Sequence, residues 1–261
     1  MSDLYRPVAE RMLTQMKHLF QPQVTYRRAD PSEFPQLDLR AYEKIGAELA
    51  ALGFRHLVDL ENMHVSTAPS RVIAPTFTRA FTSPDGTIVA GLYQVRRLRR
   101  RNLRSFAQGL LSLGWVAAPR KFFRRTVTGT LLGFATEFED GTTIATSNAL
   151  RGALIELPPQ IQCEYHHRRT PTELLLRRHE ERMAARPVQG WSVRALVTSS
   201  VEDLLASFAR SNALKYAHRE AVGWLTREEV RSMSPGRPDV ADAMYAEIQR
   251  LLRESAAPSS Q

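Results

Sequence analysis

Two short Asp-Gly stretches constrain the fold of this chain more than any other feature in it. Ser83-Pro84-Asp85-Gly86 separates β-favouring runs at 72–81 and 87–95, and Glu139-Asp140-Gly141 separates runs at 126–138 and 142–146. Asp-Gly supplies the positive φ that a tight hairpin turn requires, and strand-forming residues on both sides make each stretch a hairpin. The turns also resemble each other, with Phe81 and Thr87 flanking the first as Phe138 and Thr142 flank the second. Shared hairpin chemistry accounts for this likeness, and a duplicated β unit is the alternative. Either way the middle of the chain reads as an antiparallel sheet.

Helical spacing appears on both sides of these hairpins. Val8, Met12, Met16 and Leu19 form one stripe, and Tyr42, Ile45, Leu49 and Leu52 form another that Gly53 terminates. Between them, Pro22, Pro31 and Pro35 mark a loop or linker, while Phe54 leads into a strand ending near Leu60. Three helix starts follow late in the chain: Thr170-Pro171-Thr172-Glu173, Ser199-Ser200-Val201-Glu202 and Thr226-Arg227-Glu228-Glu229. A last helix aligns Val240, Met244, Ile248 and Leu251, and Val193 to Val197 offers one further strand. The expected fold is α+β: a mainly antiparallel sheet of five or six strands built from two hairpins, an N-terminal helix pair and a helical C-terminal part. By segment, 1–38 is a helix and linker, 39–198 the sheet domain with a basic insertion at 96–125, 199–255 helices packed on that domain, and 256–261 a disordered tail.

Charge is distributed unevenly. The chain of 261 residues carries a formal net charge of +9, yet no Asp or Glu occurs between Gly86 and Thr136. Ten cations fall in that stretch: Arg96, Arg97, Arg99, Arg100, Arg101, Arg104, Arg120, Lys121, Arg124 and Arg125. Without them the chain keeps 26 basic residues against 27 acidic ones. Leu103, Phe106, Leu110, Leu113 and Ala117 follow a helical stripe through the block, and Trp115, Phe122 and Phe123 sit near its end. Gly109 and Gly114 weaken that helix. An amphipathic segment flanked by arginines suits the headgroup boundary of an anionic lipid surface, with Leu103, Phe106, Leu110, Leu113 and Trp115 as its apolar side. Nucleic acid or an acidic protein are the alternative partners, although the aromatics lack the spacing of a base-stacking platform. The plain structural alternative is a helix laid across the sheet, its stripe buried.

Chemistry is sparsely marked. Cys163, His166 and His167 lack the fourth ligand and the second ligand pair of a zinc site, so no metal is expected. A lone cysteine forms no internal disulfide. His179 lies in register with Leu175, Leu176 and Met183, which makes it a core histidine first and a pocket acid/base second. Asp59 and Glu61 share a strand face near His64 and are the other acid/base candidates. No phosphate loop or nucleophile elbow is present, and no cofactor is implied. The N-terminus lacks the basic start and apolar run of a secretory signal. These readings converge on a cytoplasmic, non-enzymatic module, peripheral at the inner face of a membrane. An enzyme with a pocket between sheet and C-terminal helices, using His179 or Asp59, Glu61 and His64, is the rival.

Overall fold

Both expected hairpins form. The computed structural model describes residues 5–35, 37–66, 76–94, 129–149, 155–186, 193–234 and 236–256. Strand β3 (Phe77–Thr82) turns into β4 (Val89–Gln94), and β5 (Thr130–Glu137) turns into β6 (Thr143–Ser147). Gly86 and Gly141 take φ values of +76° and +78° at the two turns. An aspartate braces each of them: Asp85 accepts from Ser83 and Thr87, and Asp140 from Thr142. Strands β4 and β5 also pair antiparallel, with Gln94 opposite Thr130, so the hairpins merge into one sheet.

The sheet has seven strands in sequence order, not five or six. Strand β2 (Arg55–Asn62) was expected; β1 (Tyr26–Arg28) lies inside the stretch read as linker and pairs antiparallel with β2. Three residues among prolines carry no detectable periodicity, yet their backbone groups complete the open edge of β2. Strand β7 (Ile161–Tyr165) runs parallel to β6, a pairing that needs a long crossover and so has no turn signature. Val193 to Val197, read as a candidate strand, makes only a single bridge between Ala195 and Phe138.

Helices α1 (Arg6–Leu19), α2 (Leu39–Ala51), α4 (Thr172–Ala184), α5 (Val201–Ala221), α6 (Arg227–Met233) and α7 (Pro238–Ala256) fall where periodicity and helix-start patterns place them, and a short α3 (Met63–Ser66) follows β2. Gly53 caps α2 at φ +84°. Thr226 and Glu229 form the expected capping box, whereas α5 is capped one residue later than its sequence pattern suggests, by Ser200 with Asp203. Helix α4 has no side-chain cap: Thr172 Oγ1 donates instead to Glu48 on α2 at 2.5 Å.

Alternation along the strands sends Phe77, Phe81, Ala90, Leu92, Leu132 and Phe134 to one face, packed with Tyr42 and Leu49 of α2 and Leu175 and Leu176 of α4. Val58, Leu60 and Ala80 face the other side, against Leu204, Leu205 and Phe208 of α5. A third cluster is helical, where Ala9, Leu13 and Met16 of α1 pack with Trp224, Leu225, Val230, Ala241, Met244 and Ile248. Among the described residues, no helix is long and apolar enough to cross a membrane. The basic block, including Leu103, Phe106, Leu110, Leu113 and Trp115, and the tail at 257–261 lie outside the described residues.

Candidate functional site

His179 is fully buried, and both ring nitrogens are occupied. Nε2 lies 3.0 Å from Thr136 Oγ1 and Nδ1 lies 3.1 Å from Thr146 Oγ1, hydroxyls from adjacent strands. Burial, helped by the charge of Arg182, lowers its pKa to about 4, so the ring is neutral near pH 7. It joins α4 to the sheet.

Asp59 and Glu61 do share a face of β2, but each is taken by a different arginine. Arg79, directly opposite on β3, donates twice to Asp59 at 2.8 Å, and His56 adds a contact at 3.0 Å. Arg27 of β1 bonds Glu61 at 2.8 Å and also holds Glu33. His64 stacks on His18 of α1 with centroids 4.4 Å apart. The three residues therefore serve three separate junctions and do not converge.

Strand geometry likewise separates Cys163 from His166. His166 and Glu164 meet at 2.6 Å, and Arg182 holds the second oxygen of Glu164 at 3.2 Å. They line a polar cleft of about 430 Å³ beside α4, where Arg178 pairs with Glu181. His167 is exposed. Among the described residues, no three His, Cys, Asp or Glu side chains are grouped to hold a metal ion.

A different cluster lies between the sheet and α5. Register aligns Gly91, Gly133, Ser147 and Tyr165 in one row across four strands on the face turned to α5. Tyr93 and Cys163 are two residues from members of that row and share its face. Ser147 Oγ donates to the Leu132 carbonyl at 3.0 Å and accepts from the Ala149 amide at 3.1 Å. Burial pushes both Tyr93 and Cys163 upward in pKa, keeping them neutral. No described atom comes within 4 Å of where a Cβ on Gly91 would sit.

From the other side, α5 supplies Lys215. Its inward stripe starts apolar with Leu204 and Phe208 and ends polar with Asn212 and Lys215. Phe208 meets Tyr26 on the first strand at 5.1 Å between centroids. Lys215 is half-buried, and burial lowers its pKa, opposed by the nearby Cys163. Apart from Asp3, every Asp and Glu belongs to a described residue, and none of those pairs with Lys215.

Only Cys163 of this cluster stood out in the sequence. Glycines inside two strands were the available signal, because such positions mark a close approach or an open space on a sheet. No protein-family model, curated protein or solved structure matches this chain. What the geometry defines is a mixed α+β protein with a mostly antiparallel seven-stranded sheet and a polar cluster under its longest described helix.

Proposed function

We propose that this protein docks on an anionic surface, the inner face of a membrane, through its Arg96 to Arg125 block. The carrying observation is that ten cations occur in a stretch without one acid, in a chain otherwise near neutral. Two features of the fold support it. Gln94 and Thr130, on the two central strands that flank the block in sequence, are paired. Exposed Arg168 and Arg169 follow β7 at that same end, where Asn148 donates to the Arg168 carbonyl. Nearby acids are committed elsewhere: Glu61 to Arg27, Asp59 to Arg79, Glu164 to Arg182.

Each arginine near an anionic leaflet contributes about 1 kcal/mol, and the attraction decays within a Debye length of about 8 Å at physiological salt. Sedimentation with phosphatidylserine-containing vesicles should therefore retain the protein at low salt and release it at high salt. Replacing Arg96, Arg97, Arg99, Arg100, Arg101 and Arg104 by Gln should abolish retention. Equal recovery with neutral and anionic vesicles would remove the membrane reading. A gel shift with duplex DNA and no vesicle retention would replace the lipid surface by nucleic acid.

A further inference from the structure

We infer that the cavity between the end of α5 and α7 binds a small zwitterion, with a quaternary ammonium at one end and an anionic group at the other. The site lies in the helical cluster and shares no residue with the Arg96 to Arg125 block.

The cavity measures about 580 Å³. One wall is the last turn of α5 and the loop after it, with Glu220 and Trp224. The other is α7, where Tyr245, Gln249, Leu252 and Arg253 recur at helical spacing along one side. Gly223, at φ +69°, lets the walls approach: a Cβ there would stand 3.2 Å from Gln249 Nε2 and 3.6 Å from Leu252 Cδ1.

Charge is left unspent on both walls. Neither Glu220 nor Arg253 forms an ion pair with another described residue, although Glu220 accepts from the Tyr216 hydroxyl at 2.7 Å. Glu220 also stands in the last turn of α5, where the negative end of the helix dipole makes a carboxylate unfavourable for its own helix. Carboxylate and dipole together favour a cation at this wall, and Arg253 favours an anion at the facing one.

The backbone is strained at the same place. Trp224 is the one described residue other than glycine with a left-handed φ, at +69°. Its amide donates to the Arg219 carbonyl at 2.5 Å, and Arg219 Nη1 donates to its carbonyl at 3.3 Å, so the buried Arg219–Glu229 pair holds the turn. Strain of this kind persists where the surroundings over-determine it, and it gathers at ligand sites. The indole already attracts one cation, Lys17 Nζ at 5.7 Å from its centroid, which comes from α1 and not from the cavity walls.

The walls also select the type of cation. A primary ammonium brings three N–H donors, each needing an acceptor. A quaternary ammonium has none and spreads its charge over methyl groups, which suit Trp224, Tyr245 and Leu252. A free betaine and a phosphocholine headgroup share this chemistry.

Calorimetric titration of the full-length protein with γ-butyrobetaine, and in parallel with phosphocholine, tests the site without a vesicle. Saturable binding is expected. Glu220→Gln and Arg253→Gln, both at exposed positions, should each weaken it about fivefold to tenfold. γ-Aminobutyrate, which keeps both charges and lacks the methyl groups, should bind about tenfold more weakly than γ-butyrobetaine. Gln replacements in the basic block should leave these affinities unchanged. Tighter binding of phosphocholine assigns the ligand to a lipid headgroup, and tighter binding of γ-butyrobetaine to a free betaine. Absence of saturable binding by either zwitterion, equal binding of γ-aminobutyrate, or affinities unaltered in both cavity variants would overturn the inference. The wild-type titrations decide the first two outcomes even where a variant does not fold.

Discussion

The imidazole of His179 is held on both nitrogens by threonine hydroxyls, which leaves neither a lone pair nor a proton for a substrate. Its position has a measurable consequence for stability. The folded-state pKa is about 4, against an ordinary 6.5. On acidification the unfolded chain therefore binds the proton first, and the stabilisation present above about pH 6.5 is lost as pH falls toward 4. The full effect is on the order of 3 kcal/mol. Urea melts of wild type and His179→Gln should show the variant weaker at pH 7 but with a flatter pH dependence between 6.5 and 4. Parallel pH slopes in the two proteins would contradict this account. The sequence placed His179 on an apolar stripe and so revealed that it is buried. It could not reveal that Thr136 and Thr146 would satisfy it, because those partners lie more than thirty residues away in the chain.

At the level of elements, the two hairpin turns share a conformation but not an environment. Both glycines adopt left-handed φ, a region that costs other residues roughly 1–2 kcal/mol. A Cβ on Gly141 would meet nothing within 4 Å, while one on Gly86 would stand 2.7 Å from Val197 Cγ1. Gly141→Ala should therefore cost only the backbone penalty of about 1 kcal/mol, and Gly86→Ala distinctly more. Adding Val197→Ala to Gly86→Ala should recover the excess, readable as a shift in urea midpoint. Equal costs at the two turns would exclude the clash. The same comparison shows what local sequence can reveal: Asp-Gly announces the turn, and the segment packed against it comes from more than a hundred residues further on. The short β1 and the parallel β7 were illegible for a related reason, since a strand added to an existing edge needs little signal of its own.

At the scale of the whole molecule, the helical cluster and the sheet are joined through a buried ion pair. Arg219 and Glu229 are 1 % and 3 % exposed, and Arg219 Nη1 lies 2.8 Å from Glu229 Oε1. Glu229 also accepts from the amides of Thr226 and Glu156, and Arg219 reaches the carbonyls of Trp224 and Glu156. Phe20, just past α1, lies against the guanidinium. Removing one partner strands the other charge, so Glu229→Ala should destabilise the protein by about 3–5 kcal/mol, while an apolar replacement of both should cost far less. Calorimetric melting of the single and double variants measures the difference. By itself the sequence determined the hairpins, the helices, the α+β class and the concentration of positive charge, because these follow from turn chemistry, periodicity and counting along the chain. Tertiary structure alone decided that His179, Asp59 and Glu61 are consumed by separate partners, and that Arg219 and Glu229 meet in the interior. Those outcomes depend on strand register and on how the helices pack, which bring together residues that no local pattern connects.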